Sequence, residues 1–329
     1  MKIAVVSDIH YAGPSECLRR GYHLAHLTNR WERWSIAMYR RYIWQRDPFA
    51  HNHLLDEFID RCRDADFVVA NGDYSCDSAA IGVADDAACE SAHQCLHKLR
   101  SAFAERVEAT YGDHELGKRT LGGEKGGLRL ASFIRCQKEL NLKPFWEREF
   151  GKYVFIGITS TLVALPVYIA ETLPNEQSHW EELRAHHLDQ IRKAFASLDP
   201  NQRVLLFCHD PTALPFLARD EVIGLRVAQI ERTIIGHLHS RAILFKSRFL
   251  AGMPIITFMG HTPKRMSAAL NQARYWKRFK LLLCPSLSGI ELLRDGGYYT
   301  ATLDPNGASP AQFRLHRTRR IRKGVGTQP

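Results

Sequence analysis

Short apolar runs recur along the chain, and nearly all of them stop on a polar residue. "KIAVVSD", "FVVANGD", "RVEATYGD", "YVFIGITS", "RVLLFCHD" and "RTIIGHLHS" are rich in β-branched and aromatic residues and too short for helices, so each reads as a strand. Residues 52–63, 83–103 and 178–198 repeat their apolar positions at three- and four-residue intervals, the spacing of a helix with one buried face. Runs that are apolar on both faces, alternating with helices, predict an α/β fold on buried sheets. "YVFIGITSTLVALPVYIA", over 153–170, carries no charge and imitates a membrane span, but Gly157, Pro166 and the hydroxyls of Thr159, Ser160 and Thr161 interrupt it. It is read as a buried strand over 153–159 followed by a loop.

Composition adds the class of partner. The 329 residues, 45% hydrophobic and 24% charged, suit a soluble globular chain with a sizeable core. Lys and Arg number 45 against 35 Asp and Glu, a formal +10, and the excess gathers in 30–46 and in "RLHRTRRIRKG". Anionic partners are therefore expected: a phosphate-bearing substrate, acidic lipid or nucleic acid. With no repeat or linker, the chain reads as one domain over 1–313, with insertions at about 11–50 and 262–284, and a basic tail over 314–329. "GKRTLGGEKGG", over 117–127, reads as a flexible loop. The eight cysteines are scattered without a C-x-x-C pair, which suits reduced thiols. The first strand starts at residue 2 with no leader before it, so a cytoplasmic location is expected.

The strand ends carry the chemistry. They supply Asp8 and His10, then Asp73, then Asp113, His114 and Glu115, then His209, and last His237 and His239. In an open α/β sheet the carboxyl ends of the strands converge on one crevice. Any one of these residues alone would be an ordinary polar side chain at a strand end. Their recurrence, in carboxylate and imidazole types only, predicts a metal centre. "GDHELGKR" also matches G-x-x-x-x-G-K, but Arg119 stands where a phosphate-binding loop places Ser or Thr.

In order, "SDIH", "NGDY", "YGDHE", "FCHD" and "GHLHS" span residues 7–240. This set resembles the calcineurin-like metallophosphoesterase superfamily, whose pattern runs D-x-H, G-D, G-N-H-[DE], a separate His, and G-H-x-H. The resemblance implies a four-layer α/β-β/α sandwich and a dinuclear phosphohydrolase. By position, Asp8, His10, Asp73 and His239 would hold one metal ion. Asp73 as bridge, Asp113, His209 and His237 would hold the other. Mn²⁺ is the expected metal, with Fe, Zn and Mg as alternatives. Such a pair clamps a phosphoryl group and activates water for in-line attack, and His114 is the implied acid for the leaving oxygen. Two departures stand out: Asp113 replaces the family Asn, and Cys76, with Asp77 after it, occupies a place where the family often has Asp or Arg.

The insertions suggest the substrate. Over 29–46, "NRWERWSIAMYRRYIWQR" sets Trp31, Trp34, Met38, Tyr39 and Tyr42 on one side of a helix and Arg30, Arg33, Arg40 and Arg41 on the other. Over 264–283 a second aromatic-basic segment contains Arg274, Tyr275, Trp276, Lys277, Arg278 and Phe279. Together they predict an amphipathic, phosphate-bearing substrate met at an anionic membrane surface, as with the similar UDP-2,3-diacylglucosamine pyrophosphatases of lipid A synthesis. Arg19, Arg20, Lys118, Arg119 and Lys125 are candidate phosphate contacts. Two alternatives stay open: a soluble phosphodiesterase or nuclease, which the sequence favours less, and a non-catalytic scaffold.

Overall fold

A computed structural model describes residues 1–19, 22, 29–76, 80–119, 126–258 and 261–318. Two five-stranded sheets face each other. The strands are β1 Lys2–Val6, β2 Phe67–Asn71, β3 Val107–Thr110, β4 Phe145–Phe150, β5 Tyr153–Ile158, β6 Arg203–Cys208, β7 Ile230–Ile235, β8 Leu281–Leu283, β9 Gly297–Thr302 and β10 Gln312–Arg317. One sheet has the order β10-β9-β1-β2-β3, and the other β4-β5-β6-β7-β8. β1, β2 and β3 run parallel, as do β5 to β8, while β4, β9 and β10 pair antiparallel with their neighbours.

Side chains alternate across a strand, and here each strand feeds two different cores. Ile3 and Val5, Phe67 and Val69, Phe155, Leu205 and Phe207 share one buried cluster, which lies between the sheets. Their neighbours Ala4, Val6, Val68 and Ala70 join a second cluster with the helical residues Leu54, Phe58, Cys95 and Leu99. Val154, Ile156, Val204 and Leu206 join a third, with Ile191, Phe195, Leu214 and Leu217. Three apolar layers between four layers of structure make the helix-sheet-sheet-helix sandwich.

The helices used below are α1 Arg30–Tyr39, α2 His53–Arg61, α3 Asp86–Phe103, α4 Asp113–Leu116, α5 Gln177–Ser197, α6 Leu214–Arg219, α7 Arg241–Phe249 and α8 His261–Gln272. α2, α3 and α5 start and end within three residues of the helices expected from periodicity. The uncharged stretch is the buried strand β5 followed by short helices at Ser160–Val163 and Leu165–Tyr168, where a loop was expected. No helix among the described residues is long and apolar enough to cross a membrane. No disulfide joins any of the eight cysteines.

Other expectations need correction. The second aromatic-basic segment buries two of its three aromatics: after α8 the chain enters a 3-10 helix, Ala273–Phe279, in which Tyr275 is half-buried and Ala273, Trp276 and Phe279 are buried. Residues three apart eclipse one another on a 3-10 helix, so these three share the face packed on the outer core of the second sheet. The expected basic tail also starts later, because residues up to Arg317 form β10 against β9, and 319–329 lie outside the described residues. Residues 120–125 of the glycine-rich loop lie outside them too.

One core group makes stability depend on pH. His187 of α5 is 1% exposed and accepts a hydrogen bond from Thr159 N at 3.1 Å. Burial, with His186 adding to it, pushes its imidazole down to about 3. The unfolded chain takes up that proton near 6.5, so this contribution is complete above pH 6.5 and is lost as pH falls from there toward 3. The slope is about 1.4 kcal/mol per unit. Between pH 7.5 and 5 the metal-free parent should lose about 2 kcal/mol more than His187→Gln, which keeps an acceptor. Urea midpoints at the two pH values measure the difference.

Candidate metal centre

Seven side chains from five strand ends meet at one edge of the two sheets. Asp8 and His10 follow β1, Asp73 follows β2, Asp113 opens α4 after β3, His209 follows β6, and His237 and His239 follow β7. Ligating atoms of Asp8, His10, Asp73 and His239 all lie within 4.8 Å of one another, and so do those of Asp113, His209 and His237. Asp73 joins the halves: its Oδ2 is 3.1 Å from His209 Nε2, which is 3.3 Å from Asp113 Oδ1. Within the halves, His237 Nδ1 is 3.0 Å from Asp113 Oδ1, His239 Nε2 is 3.3 Å from Asp8 Oδ1, and His10 Nε2 is 3.4 Å from His239 Nε2. His114 Nε2 lies 3.7 Å from Asp73 Oδ2, and on distance alone it qualifies as a ligand with Asp73 and Asp113.

The backbone is bent to bring these groups together. Asp8, His10, Asp73, His237 and His239 all have φ between 50° and 60°. Each such conformation costs a non-glycine residue about 1–3 kcal/mol and persists only where the surroundings enforce it. Five of the nine described non-glycine residues at positive φ are thus candidate ligands, which marks the strand ends as a strained site and not as ordinary turns. Two glycines allow the approach. A Cβ at Gly112 would fall 2.1 Å from Asp73 Oδ1, and at Gly72 (φ +88°) it would fall 2.7 Å from His209 Nδ1.

Hydrogen bonds fix the orientation. His10 Nδ1 meets Ser75 O at 3.2 Å and His209 Nδ1 meets Asn71 O at 2.5 Å, leaving each Nε2 aimed into the cluster. Asp8 accepts from His237 N at 3.0 Å and from Ser7 Oγ at 2.6 Å. Glu115, which the sequence places at the same strand end, has a supporting role that its position alone does not reveal. It is fully buried and accepts from Asp73 N (3.0 Å), Tyr74 N (2.7 Å) and Gly112 N (2.7 Å), tying the turn after β2 to the turn after β3. Burial, and then the charge of Asp73, pushes its carboxyl up to about 7.

The electrostatics are those of a donor set in search of cations. Burial pushes Asp8 up. Burial and Asp113 push Asp73 the same way, but the imidazoles of His114 and His209 hold it below the carboxylate range. Asp113 is likewise held well down by Lys118 and His237 against its burial. Burial opposes protonation of His209 and His237, yet Asp73 and Asp8 raise the first well above its usual value and Asp113 raises the second to about 9. His239 is pushed well down by burial and by His10. Asp73 Oδ2 and His209 Nε2 are buried without a hydrogen-bond partner although they are close. Buried carboxylate and imidazole atoms that converge without hydrogen-bond partners fit a metal, and this mixed donor set fits first-row divalent ions.

Lys118 and Arg265 are charged neighbours of the cluster. Lys118 Nζ lies 3.0 Å from Asp113 Oδ2 and also meets His114 Nε2. A pocket of about 90 Å³ opens from Asp113, Lys118 and His237 toward Thr161, Tyr168 and Arg265. Arg265 pairs there with Glu171 at 2.6 Å, a contribution of the second insertion that its sequence pattern does not reveal, because the partner lies 94 residues away. Among the expected phosphate contacts only Lys118 touches the cluster in the described residues. Arg19 pairs with Asp85 at 2.7 Å, and Arg119 donates to Ala170 O at 3.0 Å. Arg20, Lys125 and Asp77 lie outside the described residues.

A family model for calcineurin-like phosphoesterases matches residues 1–241. No curated protein sequence matches the chain. Among solved structures, a dimetal phosphatase from Danio rerio is similar with a TM-score of 0.50 and 14% identity, over 92% of this chain and 92% of that one. A purple acid phosphatase from yellow lupin (Lupinus luteus) seeds is similar with a TM-score of 0.35 and 15% identity, over 73% of this chain and 38% of that one. At such identity the first likeness concerns the fold.

Proposed function

The chain belongs to the calcineurin-like phosphoesterase family and is a metal-dependent phosphoester hydrolase, and from that premise we propose the division of labour among its residues. Asp8, His10, Asp73 and His239 hold one divalent cation, and Asp73, Asp113, His209 and His237 hold a second. The observation that carries this reading is the place of Asp73, fully buried at the junction of the two groups. Two cations bound there would supply positive charge to a phosphoryl group and acidify a water. Mn²⁺ is the first choice for this donor set, with Fe, Zn and Mg behind it. His114 stands beside Asp73 as the proton donor to the leaving oxygen.

Lys118 answers the replacement of Asn by Asp at 113. Three carboxylates, Asp8, Asp73 and Asp113, reduce the charge that an incoming phosphate meets, and Lys118 restores one unit of it. Lys118→Met should therefore tighten metal binding roughly tenfold, about 1.4 kcal/mol, by removing a competing cation from Asp113. It should also raise KM for anionic esters. Calorimetric titration with Mn²⁺ and steady-state kinetics read the two effects separately.

For the substrate, we favour a phosphoester or pyrophosphate carried on an amphipathic molecule, with UDP-2,3-diacylglucosamine as the example. The Trp44 ring against His239, with centroids 4.7 Å apart, supports this by placing an aromatic wall at the metal centre. Turnover of bis-p-nitrophenyl phosphate, cyclic nucleotides and the diacylated sugar nucleotide tests it. The expected order puts the sugar nucleotide highest in kcat/KM. Preference for cyclic nucleotides would move the reading to a soluble phosphodiesterase, and metal-free protein with no hydrolysis of any of the three would leave a scaffold.

A further inference from the structure

The aromatic side of α1 is left in solvent. Trp31 is 78% exposed and Trp34 59%, and Met38 and Tyr42 continue the same stripe into the π-helical turn Arg40–Trp44. Arg30, Arg33 and Arg41 are exposed alongside. That turn leads directly to the metal centre: Tyr39 stacks on Trp44, and Trp44 lies on His239. It is also bonded to a second exposed apolar segment, since Leu292 N donates to Ile43 O at 3.1 Å and Glu291 N to Trp44 O at 2.7 Å, with Leu292 and Leu293 exposed.

A third segment begins next to His239. Ser240 caps α7 and bonds Asp295, whose other oxygen accepts from Ile290 N, so α7 starts against the turn that carries Leu292. α7 packs inward through Leu244 and Ser247 but leaves Phe245 73% and Phe249 83% exposed, one helical turn apart. Arg241, Lys246 and Arg248 are exposed on the same helix, and residues 241–250 contain no acid. The sequence pattern points to 264–283 as the second aromatic-basic segment, but the exposed phenylalanines are on α7.

We propose that these three segments form a docking face for an anionic lipid bilayer, with the metal centre at its edge. The proposal rests on the phosphohydrolase reading of that centre and names the surface from which its substrate would come. Trp and Phe suit the boundary between acyl chains and headgroups, and interleaved Arg and Lys reach phosphates while their stems stay among apolar groups. A protein partner fits less well, because protein interfaces are depleted in Lys, whereas α7 sets Lys246 with Arg241 and Arg248, and no acid, beside its two exposed phenylalanines, a one-sign pattern that suits an anionic lipid surface.

Co-sedimentation of the full chain, with and without Mn²⁺, tests the face on vesicles of phosphatidylcholine alone and with phosphatidylglycerol added. The chain should pellet with the anionic vesicles and release as salt rises. Trp31→Ala/Trp34→Ala and Phe245→Ser/Phe249→Ser should each weaken the association at least tenfold, while hydrolysis of bis-p-nitrophenyl phosphate stays within twofold of the parent. The proposal is overturned if the parent stays in the supernatant with anionic vesicles, or if neither double variant changes pelleting. A dimer that the same variants dissociate, without vesicle binding, would assign the face to a second copy. Vesicle binding without hydrolysis of any ester would leave the docking face standing and remove the phosphohydrolase reading.

Discussion

Asp73→Asn empties both metal positions and reduces turnover by roughly 10³-fold or more, the scale expected when preorganised charge is lost at a reacting centre. The substitution is nearly isosteric, and most of the local structure survives it. Asn keeps an oxygen that can accept from His114 N, as Asp73 Oδ1 does at 3.1 Å, and the backbone N–H still donates to Glu115. What changes is the atom facing His209, where an anionic oxygen gives way to an amide N–H that can only donate. Because Asp73 belongs to one group and its Oδ2 lies 3.1 Å from His209 Nε2 of the other, one substitution should lower the occupancy of two ions. Asp8→Asn, at the far end of one group, should lower the occupancy of one. Metal content by elemental analysis, beside circular dichroism to confirm the fold, separates the cases. If Asp73→Asn lost a single equivalent, Asp73 would not be the bridge and the paired arrangement would have to be redrawn.

The sandwich was legible where strands are buried on both faces, and less so where they are not. β1, β2, β5 and β6 read as strands because one face enters the core between the sheets and the other enters a helix-covered core, so nearly every position is apolar. β4, "FWEREF", and β10, "QFRLHR", sit at sheet edges, and their exposed polar residues hide the pattern. The candidate ligands were legible because metal chemistry restricts residue type at strand ends. Their support was not. Glu115 acts on backbone N–H groups 42 residues away in sequence at Asp73, and Lys118 answers a charge that only matters once Asp113 is placed. Backbone conformation was equally hidden, since the positive φ of His237 is held by the packing of the turn against Asp8, whose carboxylate accepts from His237 N.

His114→Ala should keep both metal ions and lose turnover by on the order of 10²–10⁴, the contribution of a positioned general acid. The effect should depend on the leaving group. A p-nitrophenolate departs without much help from a proton, whereas an alkoxide needs one, so the loss on an alkyl phosphoester should be larger than on bis-p-nitrophenyl phosphate. That split discriminates between the two roles the geometry allows. His114 Nε2 is within ligating reach of Asp73 and Asp113, and a ligand, unlike an acid, would slow both substrates alike by costing a metal. Its backbone N–H holds Asp73 Oδ1 whatever the side chain, so truncation should not disturb the bridge through the main chain. Retained metal with a leaving-group-dependent loss assigns His114 to proton transfer. Loss of one equivalent with equal slowing of both esters assigns it to the metal, and the source of the leaving-group proton would then have to be sought in Lys118, which meets the same nitrogen.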